Sequence, residues 1–382
     1  MPHRDIHIGE ILHFYFRNKQ LDGLYLSTAI KAFAGSFITI FVPIYLLTLG
    51  FDIREVAIFL LVNFIASFVF FSIGLKLNTK LGVKKVMTLG IIFSIVYYLS
   101  LINLSTGNIN YLLVAFVFGL SGGTYWAGFN LEFSRFCDKD NEASEISIWT
   151  IFATVFGALG PTIGAIFILE TSYNILFLVS SGLLLFSAIP LFFTKNEKTN
   201  FKFSFKNFLN ENQGYKTLAY LTNGIILPVG AVFWPIFIYL TLGKVLSLGI
   251  IVSVTTILVG IFLFFAGNFS DKNRNKVLKT GVFTHSFSWI TRLFFLSPIG
   301  IFVNNLYSNI SYFLINLPFS KIVFSKSKQS KNVSNYFLFR EFYLLLGRVT
   351  ILLFVILTSS ILWTFIVSFF ATFIYLRLLK EK

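Results

Sequence analysis

The sequence predicts an all-α polytopic membrane protein, with twelve transmembrane helices in two pseudo-symmetric six-helix bundles. Three observations predict it. First, 56% of the 382 residues are hydrophobic and 12% charged, against roughly 45–50% and about 25% in a soluble protein. Fifty Phe and a mean hydropathy of +0.79 exceed what one water-soluble core can hide, because cores stop growing near ~250–300 residues. Second, the apolar residues come in stretches of about 20, the length at which a helix crosses a bilayer. None alternates with the period of two expected of barrel strands, and a helix satisfies every backbone group within its own segment. Third, Lys and Arg fall on one side of the predicted membrane.

The elements follow in order. Residues 1–23 form a polar segment carrying Arg4, Asp5, Glu10, Arg17 and Asp22. No small-residue cleavage site follows the first apolar stretch, so that stretch is a retained span rather than a signal peptide. Residues 7–19 read as a short amphipathic helix on the membrane surface. Six spans follow, at 24–49, 56–75, 86–104, 111–131, 146–169 and 173–193. The polar stretch 194–214, within a linker over 194–217, divides the chain, and its Lys/Asn/Phe mixture reads as lying on the membrane surface. Six more spans lie at 218–242, 246–266, 277–296, 299–319, 336–358 and 361–379. The domains are therefore an N-terminal segment (1–23), a six-helix bundle (24–193), the linker (194–217) and a second bundle (218–382). A six-plus-six array points to a transporter built from repeats.

Of the 31 basic residues, 25 fall on the linker side of the predicted membrane. Two, Arg54 and Lys244, fall opposite, and Lys31, Arg292, Arg340 and Arg348 lie within spans. This asymmetry places both termini and the linker in the cytoplasm of a multi-pass protein of the cell inner or plasma membrane. The net charge of +15 is thereby a topology signal, and no nucleic-acid partner is expected. A single cysteine, Cys137, excludes a disulfide framework. The sequence holds no P-loop and no paired His/Glu spacing, and its four His are His3, His7, His13 and the isolated His285. Neither a metal nor another cofactor is expected.

Two connections share a pattern. Between the second and third spans lie Gly74, Asn78, Thr79, Lys80, Gly82, Lys84 and Lys85; between the eighth and ninth lie Gly267, Asp271, Lys272, Arg274 and Lys276. Glycine permits a tight turn, an acid pairs with basic groups or a helix N-terminus, and trailing lysines hold a loop at an anionic leaflet. The pair resembles the loop motif of the major facilitator superfamily: Gly, any, Leu, small, Asp, Arg, any, Gly, then two basic residues. The second copy keeps its acid at Asp271. In the first, Asn78 or Thr79 stands where the acid belongs, and Gly74 is one position early. The resemblance implies gating by these loops, alternating access between the halves, and a cavity lined by the first, fourth, seventh and tenth spans. Gly157, Gly160, Pro161 and Gly164 look like the glycine-proline motif of the family's drug antiporters, which implies proton-coupled efflux. Such small residues also allow close helix packing, and Pro161 can kink the span.

Ionisable groups inside spans are functional candidates by default. Glu341 and Arg348 are seven apart, so they return to within ~20° of one helix face, about 10.5 Å apart along the axis. Arg348 is ~18 Å in from Tyr336, too deep to reach the surface easily. It can bind an anionic group, with Glu341 carrying the coupled proton, or the two can form a static ion pair. Lys31 lies in the first span and faces either the cavity or the membrane edge. Asn305, Asn309, Tyr312 and Asn316 form one polar stripe, expected to line the cavity or to bond between helices. Tyr125, Trp126, Asn130, Asn223 and Trp234 are further cavity candidates.

The expected function is secondary active transport of a small organic solute by a monomer in the lipid bilayer, not an enzyme activity. A polytopic enzyme on lipid-linked substrates is the alternative, but the acidic cluster 132–145 reads as a solvated turn. A sensor or scaffold of the same fold is the other alternative.

Overall fold

The computed structural model describes residues 19–137, 150, 153–201 and 214–380, with side chains left aside over 263–272. The N-terminal segment before residue 19 and the acidic stretch 138–149 lie outside the described residues. Every regular element among them is a helix.

α1 (Lys19–Ser36) and α2 (Val42–Thr48) are separated by a break just ahead of Pro43, so the first expected span is two shorter helices. α3 (Ile53–Leu81) starts at a reciprocal cap: the Asp52 carboxylate accepts from the Glu55 N–H, and the Glu55 carboxylate accepts from the Asp52 N–H, each at 2.8 Å. That arrangement satisfies two backbone donors otherwise left open at a helix start. α4 (Val83–Leu104), α5 (Tyr111–Phe136), α6 (Gly160–Glu170) and α7 (Tyr173–Phe192) complete the region before the linker. After it, α8 (Tyr215–Pro228) runs through a π-helical turn (Val229–Phe233) into α9 (Trp234–Leu242). Pro235 has no N–H to give, and the Trp234 N–H donates five residues back to Val229, so the local bulge follows from the proline. α10 (Val245–Lys272), α11 (Arg274–Thr291), α12 (Pro298–Gln329), α13 (Val333–Thr358) and α14 (Leu362–Thr372), which tightens into a 3₁₀ turn over Phe373–Lys380, finish the chain.

Among the described residues nine helices are long and apolar enough to cross a membrane, against twelve expected. The shortfall has physical causes. The first segment is broken, α11 carries Arg274, Lys276 and Lys279, and α12 carries its asparagine stripe. α11 and α12 nevertheless fold as continuous helices.

α3 packs on α5, α5 on α4, and α7 on α1 and α4; beyond the linker α8 packs on α13, and α11 on α12 and α14. The most extensive contacts between the regions are α3 against α13 and α6 against α10; smaller ones join α5 to α12 and α13, and α2 to α9. Glycine sets the α8–α13 approach. A side chain at Gly347 would strike the Leu221 carbonyl, and one at Gly224 the Leu344 carbonyl. The glycine-proline motif does the same work. Pro161 begins α6, Gly160 and Gly164 press on Ser36 and Phe37, and the Pro161 carbonyl lies against Gly249 of α10. Gly157 touches Ser36 more loosely.

Candidate functional site

A cavity of about 480 Å³ lies where α3 and α13 meet. α3 contributes Asn63, Phe64 and Ser67; α5 contributes Trp126 and Asn130; Thr154 comes from the turn leading into α6. From beyond the linker come Asn223 on α8, Asn316 on α12, and Arg340, Glu341 and Arg348 on α13. Both regions of the chain therefore build one cationic chamber.

Its charged group is a trio. Arg340 Nη2 donates to Glu341 Oε1 at 2.6 Å, and Arg348 Nη1 stands 3.8 Å from Glu341 Oε2. The seven-residue spacing thus brings Glu341 and Arg348 together as expected, but the tighter partner is Arg340, which the sequence placed within the same span without assigning it to the site. Each guanidinium also lies over a ring: Arg348 over Phe64 at 4.7 Å and Arg340 over Phe337 at 4.8 Å. Two cations against one acid leave a formal excess of +1, and the side chains keep 14–16% exposure. Such a cluster can accept an anionic group at Arg348 while the Glu341–Arg340 contact persists.

Not every expected residue lines this cavity. Lys31 lies over the Tyr125 ring at 4.6 Å, and the Tyr125 hydroxyl is 3.2 Å from Thr28 Oγ1. Both therefore belong to the α1–α5 packing, because α5 turns Tyr125 toward α1. The asparagine stripe divides. Asn316 faces the central cavity, whereas Asn305, Asn309 and Tyr312 line a second one of about 190 Å³ within the region after the linker. Trp234 lines that second cavity too, where its Nε1 donates to Asn305 Oδ1 at 3.0 Å. A hydrogen bond links the walls of the two chambers, the Tyr312 hydroxyl donating to Asn223 Oδ1 at 3.2 Å. Asn63, Phe64 and Ser67 were missed; a lone asparagine in the apolar run of α3 was the available signal.

The expected loops are mostly helix ends. α3 continues to Leu81, so Gly74 sits inside the helix against Thr124 and Ala127 of α5, and the turning residue is Gly82, at φ +87°. Only a residue without Cβ adopts that φ readily. Asn78, standing where the family motif has its acid, is fully buried and donates to the Ala127 carbonyl at 3.2 Å. Lys84 does not reach for the membrane surface. Its Nζ meets Glu132 at 2.8 Å with side chains 3% and 1% exposed, so Glu132 is a buried partner rather than part of a solvated turn. Lys80 and Lys85 are exposed. The linker clips onto this turn: Asn196 accepts from the Lys84 N–H at 3.0 Å and donates to the Leu81 carbonyl at 2.8 Å, while Glu197 pairs with Arg135 at 2.5 Å. In the second copy, α10 runs through Gly267, Asp271 and Lys272, and the break falls at Asn273; Lys276 is exposed. The side chains of Gly267 to Lys272 lie outside those described.

The regions touch at both ends of the cavity. At the linker end Ser134 and Ser327 hydroxyls lie 2.7 Å apart, and Lys328 Nζ donates to the Cys137 carbonyl at 2.7 Å. At the far end Arg54 bonds Ser359.

Membrane-length helices around a polar chamber built by both regions fit the resemblance noted in the sequence, and the model of the Major Facilitator Superfamily matches residues 24–340. The chain belongs to that superfamily. It is a multi-pass membrane protein of a transporter family. It is also similar to the uncharacterized protein YqgE of Bacillus subtilis (strain 168), at 22% identity over 303 residues, covering 75% of this chain and 70% of that one.

Proposed function

We propose that the chain is a secondary transporter that moves a small organic solute through the central cavity by alternating access, with Arg348 holding a negative or electron-rich group of the solute and Glu341 exchanging a proton. The observation that carries this reading is the trio Arg340–Glu341–Arg348, set in a cavity whose walls come from both sides of the linker. In this reading the solute displaces Arg348 from Glu341, and that change in the surroundings of the carboxylate couples solute binding to proton exchange. The two six-helix units then rock about the α3–α13 and α6–α10 contacts, with the linker, the N-terminal segment and both termini in the cytoplasm.

Flux into proteoliposomes from a panel of small organic acids and bases, with and without an imposed proton gradient, tests the reading. Saturable flux that needs both Arg348 and the gradient is expected; gradient-dependent flux undiminished in Glu341→Gln moves coupling elsewhere. Topology needs a separate probe. Cys137 is buried at 5% exposure, so its thiol is a poor reporter. Lys195→Cys in a Cys137→Ser background puts a thiol at an exposed position of the linker. That thiol should resist impermeant reagents added to intact cells, and ready labelling would reverse the orientation.

A further inference from the structure

The second cavity contains a cation that the transport reading leaves unused. Arg292, at the end of α11, is 3% exposed and packed against two tryptophans, its guanidinium carbon 3.9 Å from the Trp289 ring centre and 4.4 Å from that of Trp234. Nη2 donates to Ser308 Oγ at 2.7 Å, whereas Nε and Nη1 are buried with no hydrogen-bond partner among the described residues. No acid pairs with it there either. Between residues 218 and 380 the sequence holds two acids, Asp271 and Glu341, and Glu341 is already engaged by Arg340 and Arg348. Ring faces ease the burial of a guanidinium but supply no countercharge.

The remaining contacts say what would complete the site. The two indoles are inclined to each other, Trp289 lying at 27° to the Phe365 ring and Trp234 at 74° to it, so they crowd the guanidinium without covering its edge. Nη2 keeps a second N–H, so together with one of the free nitrogens it presents the two-pronged donor that matches a carboxylate. Trp289 Nε1 is a further buried donor without a partner among the described residues. His285 Nδ1 faces the Ser308 carbonyl at 3.2 Å and so carries a proton, and Nε2 is likewise buried without a partner among the described residues. The rest of the wall is largely hydrocarbon from α8 and the π-turn, including Ile226, Leu227 and Ala231. The volume of about 190 Å³ holds about six water molecules at ~30 Å³ each, too little for a nucleotide.

We propose that this chamber is a second binding site, distinct from the central cavity, which takes a small carboxylate with a short apolar tail on the Arg292 guanidinium. A fully ionised phosphate would present more oxygens than the wall has donors, while an alkyl tail suits the tryptophan and aliphatic surfaces. Tyr312, bonded to Asn223, separates this site from the central one. The binding claim does not depend on the proposed transport cycle.

The test is equilibrium binding of radiolabelled butyrate to the purified full chain in detergent, with phosphate and chloride as competitors. Saturable binding is expected, weakened at least about tenfold in Arg292→Gln and less in Arg292→Lys. Arg348→Ala should leave it within about twofold while abolishing flux in proteoliposomes. Ser308→Ala, which keeps the charge but frees the guanidinium, should weaken binding about threefold and serves if Arg292→Gln fails to elute as a monodisperse species. Absent butyrate binding, binding indifferent to both Arg292→Gln and Ser308→Ala, or binding lost in Arg348→Ala would overturn the proposal. Arg292-dependent binding of phosphate without butyrate would overturn the carboxylate assignment. Flux that fails while Arg292-dependent binding persists would count against the transport reading alone.

Discussion

Two charged clusters sit within the helical bundle, and they are built differently. Lys84 and Glu132 join the start of α4 to the end of α5 at 2.8 Å, with almost no exposure and balanced charge. Arg340, Glu341 and Arg348 lie on one helix, hold unequal distances of 2.6 and 3.8 Å, and face a cavity with one cation in excess. The first is closed: its atoms have nowhere to go without separating helices. The second is open: a cavity lies beside Arg348, and in the proposed function a solute group takes the place of Glu341 there. Burial of charge alone thus does not mark function; an unbalanced cluster beside space does.

The largest effect expected from this contrast is on stability. Removing one partner of a buried pair leaves an uncompensated charge and costs about 3–5 kcal/mol, whereas replacing both by apolar groups is often neutral. Glu132→Ala should therefore lower unfolding stability in detergent sharply, and Lys84→Met with Glu132→Leu should restore most of it while flux survives. If the double variant folds normally but transports nothing, the pair is part of the moving machinery and the contrast fails.

Next comes the open cluster. Glu341→Gln should cut gradient-driven flux about tenfold, equivalent to ~1.4 kcal/mol, with a smaller loss of stability than Glu132→Ala because its partners keep 14–16% exposure. Arg348→Gln should reduce flux more than Arg340→Gln, since Arg348 holds the looser contact and is the free hand. The reverse order, measured in proteoliposomes, would make Arg340 the solute ligand and Arg348 the structural member.

The fold was legible because hydrophobic length and charge asymmetry act residue by residue: the runs behind α3, α4, α5, α7 and α13 needed no tertiary information. Where polarity served packing, the reading slipped. Asn78 and Glu132 read as loop residues because nothing local shows that Asn78 lies against α5 or that Glu132 lies beside Lys84 of α4. Within the site, Glu341 and Arg348 were legible from helical spacing, since one helix carries both. Asn63 and Arg340 were not, because their place depends on how α3 meets α13. Arg292 was visible as a cation within a span, but the cage of Trp234 and Trp289 joins α9 to α11 and has no signature in spacing.

The smallest expected effect concerns the turn between α3 and α4. Thr79 stands near the position where the family motif carries its acid, yet its hydroxyl only donates to the Lys76 carbonyl on its own helix, at 2.8 Å. A self-contained surface bond of this kind is worth little, so Thr79→Ala should change stability by less than about 0.5 kcal/mol and leave flux unaltered. The acid's place is taken physically by Asn78, whose amide ties α3 to the Ala127 carbonyl of α5. Asn78→Asp would restore the motif's letter but set a carboxylate against that carbonyl, fully buried and without a donor. It should therefore destabilise more than Thr79→Ala, as read by thermal unfolding in detergent. In the second copy, which retains Asp271, Asp271→Asn should slow flux without that loss of stability. Should Thr79→Ala abolish flux while Asp271→Asn does nothing, the turn at Gly82 and not the α10–α11 break would be the gate.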